Sequence, residues 1–155
     1  MNLNNKILYK KIYKETPEIM NNYGNYSMQY IREQKYIKLK VNYKNLLIEI
    51  NFIGFFPFQK PDVLINNKYY NNILIFNDQF FINHLKKLNI NCLCCESILC
   101  TNNWSPMFGI INILDEIKKN HTLINNIIKL KYLDKICKMH GIFCEELVEK
   151  IKFYL

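Results

Sequence analysis

The sequence has little of what marks disorder, membrane insertion or secretion. Only four glycines and four prolines occur in 155 residues, and half of the residues are hydrophobic, which is typical of a globular domain. No apolar run approaches the roughly 18 residues that span a bilayer. The N-terminus lacks the apolar core and small-residue cleavage site of a signal peptide. We therefore expect a single domain over residues 1–155, in the cytoplasm or nucleus of the cell, with reduced thiols and no membrane partner.

Arginine is also scarce, so the excess of positive charge comes almost entirely from lysine. The formal net charge is +8, a balance that can attract nucleic acid or acidic partners. The lysines are scattered singly and in pairs, however, and Arg32 is the only arginine. We interpret the charge as a solvated, lysine-rich surface and do not predict a nucleic-acid interface.

The rarest residues are crowded into one stretch, residues 92–106. Its sequence, CLCCESILCTNNWSP, contains four of the six cysteines and the only tryptophan. The stretch ends with Ser105-Pro106, which predicts the start of a helix. Serine can cap free N–H groups, and the first helical position does not need the donor that proline lacks. We take this stretch as the candidate functional site.

Hydrophobic periodicity predicts an α+β fold with an antiparallel sheet. Residues 3–14 have helical spacing and are bounded by Pro17. Alternation with a period of two predicts strands over 25–32, 35–42 and 46–53, with shorter strand pieces over 62–65 and 69–76. Residues 79–91 show no regular pattern. Amphipathic helices are predicted after Pro106, over 123–139 and over 143–154.

Three motifs resemble those of the ubiquitin-conjugating enzyme (UBC) family and occur in that family's order. They are FPFQKPDV at 56–63, CESIL at 95–99 and WSP at 104–106. In the family, a proline-rich YPFxxP loop precedes a CxxIL segment that begins with the catalytic cysteine, and a WSP motif follows. The resemblance implies one UBC-like domain, with an N-terminal helix, a four-stranded antiparallel meander, an active-site loop and C-terminal helices.

The resemblance also implies a function, which is to carry a thioester without a metal or small cofactor. Cys95 would accept ubiquitin or a ubiquitin-like modifier from an activating enzyme and pass it to lysine. A thiolate suits this chemistry because it is both a strong nucleophile and a good leaving group. Cys94 is the alternative nucleophile if the register differs by one residue.

Partner contacts follow from the same resemblance. The positions that meet RING-type or HECT-type ligases, together with their neighbours, correspond to Phe56, Phe58, Trp104, Ser105, Pro106 and Met107. Phe56 and Phe58 have an alternative role, which is to plug the end of the sheet. We expect Trp104 to pack the active-site loop against the sheet.

One departure from the family leaves a second function open. The family places a His-Pro-Asn motif upstream of the cysteine, and its Asn is thought to stabilise the oxyanion formed when lysine attacks the thioester. Here His84 lies near that place, but no Pro-Asn follows it. Asn89, Asn91 and Asn103 are the other candidate neighbours of the active site. The alternative function is therefore a catalytically inactive scaffold that binds ubiquitin, a ligase or a larger assembly.

A zinc-binding interaction domain is the third interpretation. The cysteines of residues 92–100, with the distant Cys137, His140 and Cys144, supply enough ligands for a tetrahedral site. Their spacing differs from paired Cys-x2-Cys knuckles, so we predict no metal. Cys92, Cys100, Cys137 and Cys144 are expected instead to be small, buried apolar residues.

Overall fold

A computed structural model describes residues 3–140 of the chain, with side chains from Lys6 onward. These residues form an α+β structure with an N-terminal helix, an antiparallel sheet and C-terminal helices. In chain order the elements are α1 (Leu3–Tyr23), β1 (Tyr26–Ile31), β2 (Tyr36–Tyr43), β3 (Leu46–Phe52), β4 (Asp62–Ile65), β5 (Lys68–Tyr69), α2 (Tyr70–Ile73), α3 (Gln79–Lys87), α4 (Leu93–Glu96) and α5 (Ile110–His140). None of the helices in this part of the chain combines the length and apolarity needed to cross a membrane.

The described chain divides into two compact units. The first unit comprises residues 3–75 and 92–116, and the second comprises residues 76–91 and 117–140. Helix α5 contributes residues to both. The single domain expected over residues 1–155 stays a prediction, and the helix predicted over 143–154 lies outside the described residues.

The sheet in the first unit is a meander in which each strand pairs with the next one along the chain. Strands β1 to β4 lie within one residue of their predicted bounds. On β2, the side chains of Ile37, Leu39 and Val41 are fully buried, and the lysines between them point to the other face. This confirms the predicted alternation, which arises because successive side chains of a strand project to opposite faces.

Pro17 does not end the first helix, contrary to the prediction. α1 continues through this proline to Tyr23. Ile12 and Ile19, on either side of Pro17, are fully buried. Burial of such side chains opposes the roughly 3 kcal/mol that an internal proline costs a helix.

The strand predicted over residues 69–76 is wrong beyond Tyr69. The chain forms the two-residue β5 there, so the sheet has five strands rather than four, and then turns into α2. A run of apolar and aromatic residues such as YYNNILIF fits a strand or a buried helical turn equally well, and its packing decides between them.

The interpretation of residues 79–91 as irregular is wrong, because Gln79–Lys87 form helix α3. Asp78 caps its N-terminus, since the carboxylate Oδ1 accepts the N–H groups of Phe80 and Phe81 at 3.0 and 3.2 Å. An N-cap aspartate satisfies donors that have no partner within the helix. Phe81 and Leu85, which are four residues apart on α3, are both buried, so both the cap and the helical spacing of apolar residues indicate this helix.

The helix after the WSP motif begins at Ile110 and not at Pro106. Ser105 instead closes a turn, where its Oγ accepts the N–H of Met107 at 3.3 Å. The N–H of Gly109 donates to Asn112 Oδ1 at 2.8 Å, and that of Ile111 to Glu15 Oε2 at 3.0 Å. The side chains of Asn112 and Glu15 thus accept the first N–H groups at the start of α5. The helix therefore begins four residues later than predicted.

The two helices predicted after Pro106 and over 123–139 form the single helix α5. No glycine or proline interrupts residues 110–140. The amphipathic character predicted after Pro106 is confirmed, since α5 fully buries four side chains at helical spacing, Ile110, Ile113, Leu114 and Ile117.

Candidate functional site

Three cysteine thiols lie together at the start of the 92–106 segment, and we call Cys92, Cys94 and Cys95 the thiol cluster. Cys94 and Cys95 belong to the single turn of α4, and Cys92 is its N-cap residue. The Cys94 sulfur is 2.8 Å from that of Cys92 and 3.9 Å from that of Cys95. All three sulfur atoms lie within 4.8 Å of one another. The segment therefore presents a group of thiols rather than one isolated nucleophile.

The exposure of the cysteines differs from the expectation. Cys95 is exposed, while Cys92, Cys94 and Cys100 are half-buried free thiols, so the buried apolar role expected of Cys92 and Cys100 is wrong. For Cys92, the N-cap of α4, the reason is that this helix has only one turn and buries only Leu93. Cys137 is buried as expected, but it is disulfide-bonded, so the expectation of reduced thiols is wrong for this residue. Cys144 lies outside the described residues.

The three thiols of the cluster differ in acidity. The contact between Cys92 and Cys94 lowers the pKa of Cys92 and, with partial burial, raises the pKa of Cys94 to about 12. The pKa of Cys95 is also raised, chiefly by Cys92. These shifts belong to the three thiols together, because an S–H that donates a hydrogen bond to a neighbouring sulfur stabilises the thiolate of that neighbour.

Glu116 of α5 holds the chain directly after the cluster. Its carboxylate accepts the Ser97 hydroxyl at 2.6 Å and the Ile98 N–H at 2.7 Å. Ser97 is buried, and its Oγ accepts the N–H of Leu99 at 3.0 Å. Neither Ser97 nor Glu116 is singled out from the sequence. No local pattern could show that the face of α5 that carries Glu116 meets the cysteine segment.

Asn103, a predicted neighbour of the active site, acts on the same stretch of backbone. Its Nδ2 donates to the carbonyl oxygens of Cys95 at 2.7 Å and Ser97 at 3.0 Å. Carbonyl groups at the end of a helix have no partner within it. Asn103 satisfies these carbonyls and is a positioning residue for Cys95.

The other predicted neighbours belong to the second unit. His84 lies on α3, where its Nδ1 is 2.8 Å from the carbonyl oxygen of Phe80 and its ring stacks on the Phe80 ring. A carbonyl only accepts, so Nδ1 carries the hydrogen. His84 is therefore hydrogen-bonded within its own helix.

Asn89 has a structural role at the end of α3. Its φ is 59°, its N–H donates to the carbonyl of Lys86, and the next N–H, of Ile90, donates to the carbonyl of Leu85. This pair of bonds is the Schellman ending of a helix, in which asparagine tolerates the left-handed conformation. Asn91 follows it at an exposed position of the same unit.

Trp104 joins the WSP turn to the proline-rich loop. Its Nε1–H donates to the carbonyl of Pro57 at 2.8 Å, and its ring centroid lies 5.9 Å from that of Phe56. Phe56 is buried and packs edge-on against Phe52 of β3 at 4.8 Å. Trp104 therefore has the packing role expected of it, acting through Phe56.

The proline-rich loop and the WSP turn each expose one large apolar side chain. Phe58 is 76% exposed and Met107 is 89% exposed. Pro106 is also exposed, and Ser105 is half-buried. The two loop phenylalanines therefore have different roles. Phe56 packs against the end of the sheet, and Phe58 is exposed to solvent.

A cavity of about 230 Å³ lies in the first unit beside the 92–106 segment, which contributes Leu99. Its other lining residues are Lys60, Pro61, Asp62, Val63, Tyr69, Tyr70, Asn71 and Asn72. The Oδ1 atom of Asn71 is buried and makes no hydrogen bond with any residue that the structure describes. The sequence interpretation had placed these asparagines in a strand and so overlooked them.

Comparisons with known proteins give no relative for this arrangement. No protein-family model, curated protein or solved structure matches the chain. The chemistry of the site must therefore be argued from its own residues.

Proposed function

We propose that the first unit is a divergent UBC-like thioester carrier that uses Cys95. The modifier would be ubiquitin or a ubiquitin-like protein, received from an activating enzyme and passed to lysine. The observation that carries the proposal is that Cys95 is the exposed thiol of the segment and that Asn103 holds its carbonyl. A protein C-terminus can reach only an exposed sulfur, and a fixed backbone keeps that sulfur in place.

The order of elements supports the UBC-like interpretation. A helix is followed by an antiparallel meander, a proline-rich loop, a cysteine segment, a WSP turn and a further helix. The resemblance of the sequence implies the same order. We also propose that the protein acts in the cytoplasm or nucleus, because the UBC family to which the sequence has a resemblance works there.

The proposed transfer takes place in two acyl substitutions, each at the carbonyl carbon of a thioester. The Cys95 thiol loses its proton, and the thiolate attacks the thioester carbonyl of the loaded activating enzyme. A new carbon–sulfur bond forms as the old one breaks, and the thiolate of the activating enzyme leaves. A neutral lysine amine then attacks the Cys95 thioester, loses a proton and forms an isopeptide bond, which releases the Cys95 thiolate.

Stabilisation of the oxyanion in the second step calls for a donor such as an amide. Asn103 is engaged with backbone carbonyls. Asn71 and Asn72 are further amides of the first unit and line the cavity to which the cysteine segment contributes Leu99. We would test both amides for this role by replacing each of them and measuring the rate at which free lysine discharges the Cys95 thioester.

Phe58 and Met107 are the side chains we propose to meet a RING-type or HECT-type ligase. Both are exposed and apolar, and they lie on two loops that Trp104 ties together. Large apolar side chains on a fixed support make effective contact anchors. Phe56 and Trp104 would contribute by supporting the two loops rather than by contact.

The test is to load the reduced full-length chain with an activating enzyme, ATP and ubiquitin. We expect an adduct that thiols cleave and that Cys95→Ser abolishes. Cys100→Ser is the matched control, because Cys100 is a free thiol of the same segment outside the cluster. If the adduct is lost in Cys94→Ser but still forms in Cys95→Ser, the nucleophile is Cys94 and not Cys95. The enzymatic proposal fails if no ubiquitin-like modifier forms such an adduct.

The catalytically inactive scaffold is the second candidate. It is favoured by the raised pKa of Cys95, whose first cause is the interaction with Cys92, because a raised pKa disfavours the thiolate that thioester chemistry needs. A chain that forms no adduct yet binds ubiquitin or a ligase, with Phe58→Ala weakening that binding, would establish it. Tyr13→Ala is a suitable control, because Tyr13 is an exposed aromatic residue on α1.

A further inference from the structure

We propose that the thiol cluster is a metal site, in which Cys92, Cys94 and Cys95 bind one soft, thiophilic ion with three sulfur ligands, Cu(I) being the ion that fits best. This inference goes beyond the proposed function and does not depend on it. It rests on the convergence of three sulfur atoms, on the ligand count and on the exposure of the cluster.

The convergence of the sulfur atoms is not a simple result of their closeness in sequence. Residues two apart on a helix do not face each other. Cys92 reaches Cys94 because it is the N-cap of α4 and has an extended backbone, with φ −158° and ψ 117°. Three potential ligands thus meet within four consecutive residues, and no long loop has to close around the ion.

The spacing of the sulfur atoms suits one small ion. An ion about 2.3 Å from each of three sulfur atoms in a plane separates them by about 4.0 Å. The Cys94–Cys95 separation is already 3.9 Å, and the Cys92–Cys94 separation is 2.8 Å. The Cys92–Cys94 pair has to open by about 1 Å on the same geometry, and the Cys92 and Cys95 sulfur atoms already lie within 4.8 Å of each other.

The number of ligands favours Cu(I) over zinc. No further His, Cys, Asp or Glu side chain joins the group among the residues that the structure describes. Structural zinc sites almost always have four protein ligands. Thiolate sulfur selects soft ions, and Cu(I) is one that accepts three such ligands.

The surroundings of the cluster suit an ion that enters from solvent. Cys95 is exposed and the other two thiols are half-buried. The backbone behind them is fixed by Asn103 and by the Ser97–Glu116 hydrogen bond. Each thiol loses its proton to solvent as its sulfur binds, so one ion displaces up to three protons. Because Cys95 serves both roles, a bound ion and a thioester exclude each other.

The test is an anaerobic titration of the reduced full-length chain with Cu(I), supplied as its complex with a chromophoric chelator. We expect the chain to withdraw one Cu(I) per molecule. Cys92→Ser, Cys94→Ser and Cys95→Ser should each weaken binding by at least about tenfold. Cys100→Ser should bind as the wild type does, because Cys100 lies outside the cluster. Circular dichroism of each variant verifies folding, and none of the three replaced side chains is fully buried.

Three outcomes would overturn the proposal. They are an absence of Cu(I) binding, binding that Cys94→Ser leaves unchanged, and loss of binding in Cys100→Ser. A second measurement is X-ray absorption at the copper edge, where we expect three sulfur neighbours; four sulfur neighbours, or tighter binding of Zn²⁺ than of Cu(I), would contradict the three-coordinate site. These readouts need no ubiquitin, so a failure here is distinct from a failure of the thioester assay.

Discussion

Glu49 and Glu116 are two carboxylates of the first unit that are compensated in different ways. Glu49 is buried on β3 and forms ion pairs with Lys38 at 3.2 Å and Lys40 at 2.8 Å. Glu116 is half-buried on α5 and accepts hydrogen bonds from the Ser97 hydroxyl and the Ile98 N–H. The first carboxylate is balanced by charges, and the second by neutral donors.

The difference shows what each region depends on. β2 and β3 are already joined by an antiparallel ladder in which Lys40 faces Glu49, so the ion pairs add to an existing connection. The chain after α4 has no ladder, and Glu116 and Asn103 fix it through side-chain hydrogen bonds. Loss of one carboxylate should therefore matter more at the cysteine segment than in the sheet.

The largest effect is expected for Glu116→Gln. The glutamine NH₂ cannot accept a hydrogen bond, so either Ser97 or Ile98 is left with a donor that lacks its partner. This should lower the free energy of unfolding by about 1.5–3 kcal/mol. Urea denaturation measures the loss, and alkylation of Cys95 should become faster because its backbone is less restrained. Glu33→Gln is the control, since Glu33 is exposed in the turn between β1 and β2; equal stability of the two variants would contradict the role given to Glu116.

A smaller effect, dependent on pH, is expected at Glu49. Lys40, and then Lys38, lower the pKa of Glu49 below its ordinary value of 4.5. A lowered folded-state pKa stabilises the fold above the ordinary value, and that stabilisation is lost as the pH falls through the folded-state pKa. The wild type should therefore exceed Glu49→Gln in stability by about 1 kcal/mol at neutral pH.

Urea denaturation from neutral pH to below the ordinary glutamate pKa checks this prediction. We expect the advantage of the wild type over Glu49→Gln to shrink as the pH falls. An advantage that stayed constant would show that the carboxylate charge is not what stabilises this pair of strands.

The smallest effects are expected for the two lysines. Lys38→Gln and Lys40→Gln should each cost about 0.2–1 kcal/mol, because both side chains are partly exposed and the other lysine still compensates Glu49. Lys40→Gln should cost more, since its ion pair is shorter. High salt should reduce the difference in stability between Lys40→Gln and Lys38→Gln, because it screens the charges. Urea denaturation at low and high salt measures the stability of both variants. A larger loss of stability in Lys38→Gln would show that Lys38, and not Lys40, forms the stronger ion pair with Glu49.

The strands could be predicted closely because their signal is local. Ile37, Leu39 and Val41 alternate with lysines, and the alternation alone specifies which face is buried. Helix ends were harder to predict, because caps depend on which polar side chains are within reach. Ser105 looked like the cap of α5, but Asn112 and Glu15 supply the acceptors and the helix starts at Ile110.

The candidate site was found from its rare residues, but its geometry was not. The motif around Cys95 singled out this residue, and Asn103, one of the predicted neighbours, donates a hydrogen bond to its carbonyl oxygen. The contact between the sulfur atoms of Cys92 and Cys94 depends on an extended N-cap, and the hold of Glu116 on Ser97 joins residues far apart in the chain. Neither leaves a periodic signal.

The sequence by itself determined the α+β class, the order of the strands and the place of the cysteine segment, because period, turn residues and rare residues act over a few neighbours. Tertiary structure decided that α1 passes through Pro17, that Phe56 is buried while Phe58 is exposed, and that Glu116 accepts a hydrogen bond from Ser97. The physical reason is that burial and hydrogen bonding between distant segments outweigh local preferences of a few kcal/mol or less.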